Sequence, residues 1–200
     1  MSHGAHKDKV AAKLGMWLFL FTELLLFGGL FILYAVYLAR YPLEFSGAGR
    51  QLDLVFGAVN TVVLITSSLL AAMAVTAVKR GEPRLTLALL SGTLGCAAVF
   101  LVIKYLEWSA KISHGIFPGS PKLLAGAPGE SVFFGLYYLT TGLHGLHVLI
   151  GAALLSWICA RVQSGVIHAG ENVALENATL YWHLVDLVWI FIFPLYYLIL

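Results

Sequence analysis

Long apolar runs, separated by short polar and turn-forming stretches, dominate the chain. Five of them, at about 14–39, 54–78, 85–108, 131–161 and 175–200, are each long enough to cross a hydrocarbon core of roughly 30 Å as a helix, which takes about 20 mostly apolar residues. No run shows the alternating pattern of a membrane barrel strand, and in lipid a helix is the element that satisfies its backbone groups within one segment. The pattern predicts an all-α integral membrane bundle of five transmembrane helices: a polar N-terminal tail over 1–13, then a single transmembrane domain over 14–200. The connections carry the turn and charge signals: Tyr41-Pro42 to Asp53, then Lys79-Arg80-Gly81-Glu82-Pro83-Arg84, then His114 to Glu130 with its three prolines, then Gln163 to Gly170.

Basic residues flanking the runs set the expected orientation, because Lys and Arg are retained on the cytoplasmic side. Lys7, Lys9, Lys13, Lys79, Arg80, Arg84 and Arg161 fall on one side, against Arg40, Arg50, Lys111 and Lys122 on the other. This predicts the N-terminus inside and the C-terminus outside.

Composition agrees with the pattern: the chain is 60% hydrophobic and 11% charged, against roughly 25% charge in soluble domains. A net charge of +2, from scattered basic residues, excludes a nucleic-acid surface. Cys96 and Cys159 lie in or beside apolar segments without companion ligands, so they read as small buried hydrophobes and not as a disulfide or zinc pair. The N-terminal MSHGAHKDKVAAK lacks a signal-peptide cleavage site.

The informative residues are the polar ones inside the runs, since an ionisable group deep in a span costs about 2.5–3.5 kcal/mol on insertion scales and should face the bundle interior with a partner. Glu23 lies mid-way along the first run and Asn60 early in the second. Lys104 and Glu107, three residues apart in the third, share a helical face where they can neutralise each other. Thr140, His144, His147 and Gly151 stack along one stripe of the fourth run, beside Gly142 and Gly145, whose size lets another helix approach. His183 and Asp186 in the fifth are again three apart, and can share a hydrogen bond or an ion pair. His144-x-x-His147 also raises a haem or metal reading, but His183 is the one further imidazole at comparable depth, while His3, His6, His114 and His168 are terminal or in loops. No haem-attachment, thiolate-cluster, phosphate-loop or nucleophile-elbow motif occurs.

Taken in order along the chain, several segments resemble subunit III of the haem-copper cytochrome c oxidases. They are Phe19 to Phe31 around Glu23; Leu54 to Ser68 with Asn60-Thr61 and Ser67-Ser68; Lys104-Tyr105-Leu106-Glu107-Trp108; Thr140-Thr141-Gly142-Leu143-His144-Gly145-Leu146-His147-Val148; and Tyr181-Trp182-His183-Leu184-Val185-Asp186-Leu187-Val188-Trp189. The likeness covers nearly the whole chain and is to the short, five-helix bacterial form. It implies a subunit that binds neither haem nor copper, both held by partner subunits, and that packs against the catalytic subunit I and the other subunits in the bacterial inner membrane. It further implies support of proton uptake and stability during oxygen reduction to water, and phospholipid held in a cleft. Glu23, His144, His147, His183 and Asp186 occupy motif positions, and the resemblance implies that they form a functional polar network, with Asn60, Lys104, Glu107 and Thr140 as structural polar residues. Accessory subunits of quinol oxidases and nitric oxide reductases share the likeness. A different class, a stand-alone proton-coupled transporter relaying through Glu23, His183 and Asp186, lacks the inverted repeat and broken half-helices that transporters use.

Overall fold

The structure, a computed structural model, describes residues 2–198, and their side chains from residue 10 onward. Lys7, Lys9, His3 and His6 therefore lie outside the described side chains, and residues 199–200 outside the described chain. Every regular element is helical: α1 Ser2–Arg40, α2 Pro42–Gly49, α3 Leu54–Lys79, α4 Pro83–Ser113, α5 Pro121–Ala125, α6 Pro128–Gln163 and α7 Val173–Phe193, which continues into a π-helical turn over Pro194–Leu198. Among the described residues five stretches are long and apolar enough to cross a membrane: Val10–Arg40, Leu54–Lys79, Pro83–Ser113, Pro128–Gln163 and Val173–Leu198.

Local chemistry fixes where the helices begin and end. Proline stands at the first helical positions of α2, α4, α5 and α6, where its missing N–H costs nothing and its φ is already helical. Asp53 caps α3, its carboxylate accepting from the backbone N–H of Val55 at 2.9 Å and Phe56 at 3.3 Å. Gly81 ends the same helix at φ 75°, and the Glu82 N–H bonds the Ala77 carbonyl at 3.1 Å across that turn.

Two of the connecting stretches, marked in the sequence by turn and charge signals, contain short helices, α2 and α5. In α2 the sequence supplies Pro42 at the start and Glu44 in the first turn, and the helix buries Phe45 and Ala48 against α6. The α5 turn is capped by the Ser120 hydroxyl, which accepts from the Leu123 N–H at 3.3 Å. At the other end of the chain α1 already runs through 2–13, so the polar tail and the first span share one helix.

Side-chain burial follows a seven-residue rhythm. The buried positions of α3 include Gly57, Asn60, Leu64, Ser67, Ala71, Ala74 and Val78, and those of α4 include Thr86, Leu90, Thr93, Ala97, Phe100, Lys104, Glu107 and Lys111. Alternating three- and four-residue steps of this kind are the seam of a left-handed helix pair, and these two helices pack along their length. The α6 seam carries Thr140, His144, His147 and Gly151 as expected from their spacing. Around it α7 is the central element, touching α1, α3 and α6. By contrast α1 is covered along one stripe, with Leu20, Phe27 and Tyr34 buried and most other large apolar side chains facing outward.

Candidate functional site

The polar residues inside the spans sit on these inner seams, and the structure sorts them into layers along the bundle. Nearest the start of α1, Glu176 on α7 bridges Lys13 on α1 at 2.8 Å and Lys79 on α3 at 2.7 Å. The three line the mouth of a groove of about 470 Å³ that reaches down to His183.

One layer deeper, Glu23 on α1 meets His147 on α6, Oε2 to Nε2 at 2.9 Å, with the two side chains 13% and 10% exposed. The ring is oriented by its other nitrogen, 2.7 Å from the Leu143 carbonyl, by the edge of Phe27 and by Tyr181. Facing this pair across α7 is a second polar cluster. The Trp182 indole N–H donates to Ser67 Oγ at 3.0 Å, Asp186 Oδ2 lies 3.3 Å from the same oxygen, and Ser68 Oγ lies 2.6 Å from His183 Nδ1. His183 and Asp186 thus make no direct bond; each is engaged by its own serine of α3, Ser68 and Ser67 respectively.

At the next level His144 is fully buried with no hydrogen-bond partner on either ring nitrogen. Its ring packs against Phe100 at 5.4 Å and Trp189 at 5.2 Å between centroids, as an aromatic core residue would. Asn60 is likewise buried with neither amide atom partnered by protein. The neighbouring Thr61 accepts from the Trp189 indole at 3.0 Å.

The layer beyond is a buried ion pair with its hydrogen bonds complete. Lys104 Nζ donates to Glu107 Oε2 at 2.8 Å and to the hydroxyls of Tyr137 and Tyr197 at 3.0 Å each, which uses all three ammonium hydrogens. Glu107 in turn accepts from Tyr137 at 2.9 Å and Tyr197 at 2.8 Å. Thr140 joins Tyr196 at 3.0 Å beside it, and Tyr34 of α1 donates to the Leu195 carbonyl at 2.6 Å. Toward the far end Lys111 donates to the Gln51 carbonyl at 3.1 Å.

Glu23 and His147, and Lys104 and Glu107, are therefore brought together, whereas His144 and Asn60 are sunk without a polar partner. Sequence reading alone does not single out Tyr137, Tyr197 or, at the start of α7, Glu176. Ser67 and Ser68 stand out in the sequence only within the segment Leu54 to Ser68 that carries the resemblance. Gly151 lies where a Cβ would come 2.7 Å from the Trp182 ring, and Gly142 one at 3.0 Å from Trp108, so both admit a neighbouring side chain. Gly145 has nothing within 4 Å and plays no such part. Among the described residues no group of three or more His, Cys, Asp or Glu converges on a point that could hold a metal.

The family model described as cytochrome c oxidase subunit III matches residues 1–199. This chain belongs to that family. Among relatives, a heme-copper oxidase subunit I+III from Aeropyrum pernix is 32% identical over 96% of this chain, which spans 23% of that longer protein. A cytochrome c oxidase subunit 3 from Thermostichus vulcanus is 30% identical over 98% of this chain and 90% of its own length. A cytochrome bo(3) ubiquinol oxidase subunit 3 from Pseudomonas putida is 32% identical over 97% of this chain and 88% of its own length.

Proposed function

We propose that this chain is the subunit III of a respiratory haem-copper oxygen reductase, packed on the catalytic subunit I and supporting proton uptake and durability while that subunit reduces oxygen to water. The observation that carries the reading is the family match over the chain together with an interior of paired polar groups. The Aeropyrum relative, whose name joins subunits I and III in one protein, supports a partnership of this chain with a subunit I. Haem and copper belong in this reading to the partner subunits. The named relatives divide between cytochrome c and ubiquinol oxidases, so the donor is left open between these.

Within this reading Glu23, His147, His183 and Asp186 are the proton-related groups, and His144 acts with Asn60, Thr140, Lys104 and Glu107 in packing and orientation. The membrane is the bacterial inner membrane, with the α1 start inside. In support, Lys13, Lys79 and Glu176 join the starts of α1 and α7 to the end of α3, while Lys111 and Gln51 meet at the opposite end. A phospholipid lies with its phosphate near Lys13 and Lys79 and its chain along the apolar groove of Trp17, Leu20, Phe21, Leu24 and Leu187.

Affinity purification of the tagged chain from mildly solubilised membranes tests the proposal. A haem-bearing subunit must accompany it; a chain that migrates alone under conditions that keep other respiratory complexes whole rejects the reading.

A further inference from the structure

Asp186 sits in the interior of α7, 4% exposed, and among the described residues no cation forms an ion pair with it. Its protonation state can be read by counting hydrogens at Ser67. The Ser67 Oγ touches three groups: the Leu64 carbonyl at 2.7 Å, the Trp182 indole nitrogen at 3.0 Å and Asp186 Oδ2 at 3.3 Å. A carbonyl can only accept and an indole N–H can only donate. The single serine hydrogen must therefore point at Leu64, because otherwise two oxygens would face each other at 2.7 Å with nothing between them. Trp182 occupies one lone pair of the serine, and the remaining lone pair faces Asp186. That contact is a hydrogen bond when the carboxyl supplies the hydrogen.

From this geometry we infer that Asp186 is held as a neutral carboxylic acid, donating from Oδ2 to Ser67, and that it is a proton-storing site connected to the membrane face at which α1 begins. A second observation points the same way. Asp186 Oδ1 is buried with no hydrogen-bond partner, a small loss for the carbonyl oxygen of an acid and a severe one for half of a carboxylate.

The connection runs through Ser68, the neighbour of Ser67 on α3, which stands beside the carboxyl with its Oγ 2.6 Å from His183 Nδ1. At the acid the donors point one way, Asp186 O–H to Ser67 and Ser67 O–H to Leu64, while Ser68 O–H donates to Nδ1 of the His183 tautomer that carries its hydrogen on Nε2. His183 in turn lines both the groove that opens beside Lys13, Lys79 and Glu176 and the apolar groove under Trp17. For the proton to leave, the acid O–H turns from Ser67 to Ser68, which takes the proton as it passes its own to the unprotonated Nδ1 of the Nε2–H tautomer of His183. The imidazolium formed releases the Nε2 proton into the groove. Asp186 is left as carboxylate, with the serine and the imidazole neutral. Besides His183 on its own helix, the titratable neighbour of the carboxyl among the described residues is Cys96 on α4. From α3 it meets the two serines, and the α6 histidines are engaged elsewhere, His147 with Glu23 and His144 with Phe100 and Trp189. The inference deepens the reading of His183 and Asp186 as proton-related groups and rests on that part of the proposal, while the protonation of the carboxyl is tested separately from association with a haem-bearing subunit.

Infrared spectroscopy of the purified protein with its natural partners, labelled with carboxyl-13C aspartate, tests it. The expected result at neutral pH is an isotope-shifted carbonyl stretch of a protonated acid, lost in Asp186→Asn and kept in Glu23→Gln. In Ser67→Ala, which keeps the carboxyl but removes its acceptor, the band must move to higher frequency. In His183→Leu the band must persist while its deuterium shift in heavy water slows several-fold. Absence of an aspartic acid band in the wild type, or a band that Ser67→Ala leaves in place, overturns the carboxylic acid. Deuterium exchange unaltered in His183→Leu overturns the route. Should Asp186→Asn fail to fold, the label and the Ser67→Ala shift still decide the point.

Discussion

Glu23 Oε2 lies 2.9 Å from His147 Nε2 while Nδ1 of the same ring lies 2.7 Å from the Leu143 carbonyl. Because that carbonyl can only accept, Nδ1 carries a hydrogen, and one further proton must lie between Nε2 and the carboxyl. Whether it belongs to the ring or to the acid, the pair as a whole is neutral. The arrangement explains how an acid can be placed inside the first span without the full cost of burying a charge.

The pairing predicts a contrast between two substitutions at Glu23. In Glu23→Gln the amide donates to a neutral Nε2, so subunit content and thermal stability stay near wild type, while the loss of the movable proton shortens the active lifetime of the enzyme during turnover. In Glu23→Leu the imidazole is left unpaired, at a cost of about 1–3 kcal/mol. Subunit content after purification and activity decay under continuous turnover check both halves.

Lys104 and Glu107 predict a rescue. Lys104→Met leaves a buried carboxylate with tyrosine donors alone and should lower stability by about 3–5 kcal/mol. The double variant Lys104→Met with Glu107→Leu should recover most of that loss, because two apolar groups of similar volume replace a pair whose desolvation nearly offset its attraction. Thermal unfolding in one detergent, measured for both single variants and the double, closes the cycle.

His144 invites the opposite test. Both its nitrogens are buried without a partner, at a cost of about 1–3 kcal/mol, and its ring is packed like an aromatic one. His144→Phe should hold or raise thermal stability, whereas His144→Leu, which loses the flat contacts with Phe100 and Trp189, should lower it by about 1 kcal/mol. A strong loss in the phenylalanine variant would show that the nitrogens are engaged after all.

The contact of Gly151 with Trp182 predicts a steric failure. A Cβ there stands 2.7 Å from an indole that is fully buried and bonded to Ser67, so Gly151→Val should cost about 1–3 kcal/mol or more through overpacking. Reduced yield and a lower unfolding temperature, beside an unaffected Gly145→Val, check it.

At the α1 start, Lys13→Gln combined with Lys79→Gln should reduce the anionic phospholipid that co-purifies, while changing stability by no more than about 1 kcal/mol, since the ion pairs with Glu176 are half-exposed at their lysine ends. Lipid extraction and mass spectrometry give the readout.

The spans were legible because lipid imposes a simple demand on composition and length, and the inward facing of Glu23, His147, Lys104 and Glu107 followed from the same demand. Partners that come from a different helix were harder to read. Tyr137 and Tyr197 complete the Lys104 site from α6 and from the π turn after Pro194, and nothing local distinguishes them from tyrosines at a membrane interface. His183 and Asp186, three residues apart on one helix, bond different serines of α3 and not each other, because helical spacing fixes a shared face but not which neighbour reaches it first. The α2 and α5 helices escaped notice since they are too short to show a period, and are defined by their starting prolines and by what covers them.

The single inner stripe of α1 has a consequence for specificity. A row of Leu20, Phe27 and Tyr34 seated on smooth neighbours would fit almost as well after rotation or after sliding by one turn. Polar contacts to Glu23 and Lys13 at two depths, with the Tyr34 hydroxyl at a third, tolerate neither movement. They act as locating pins: grease alone would let this helix wander, and the pins give it one address.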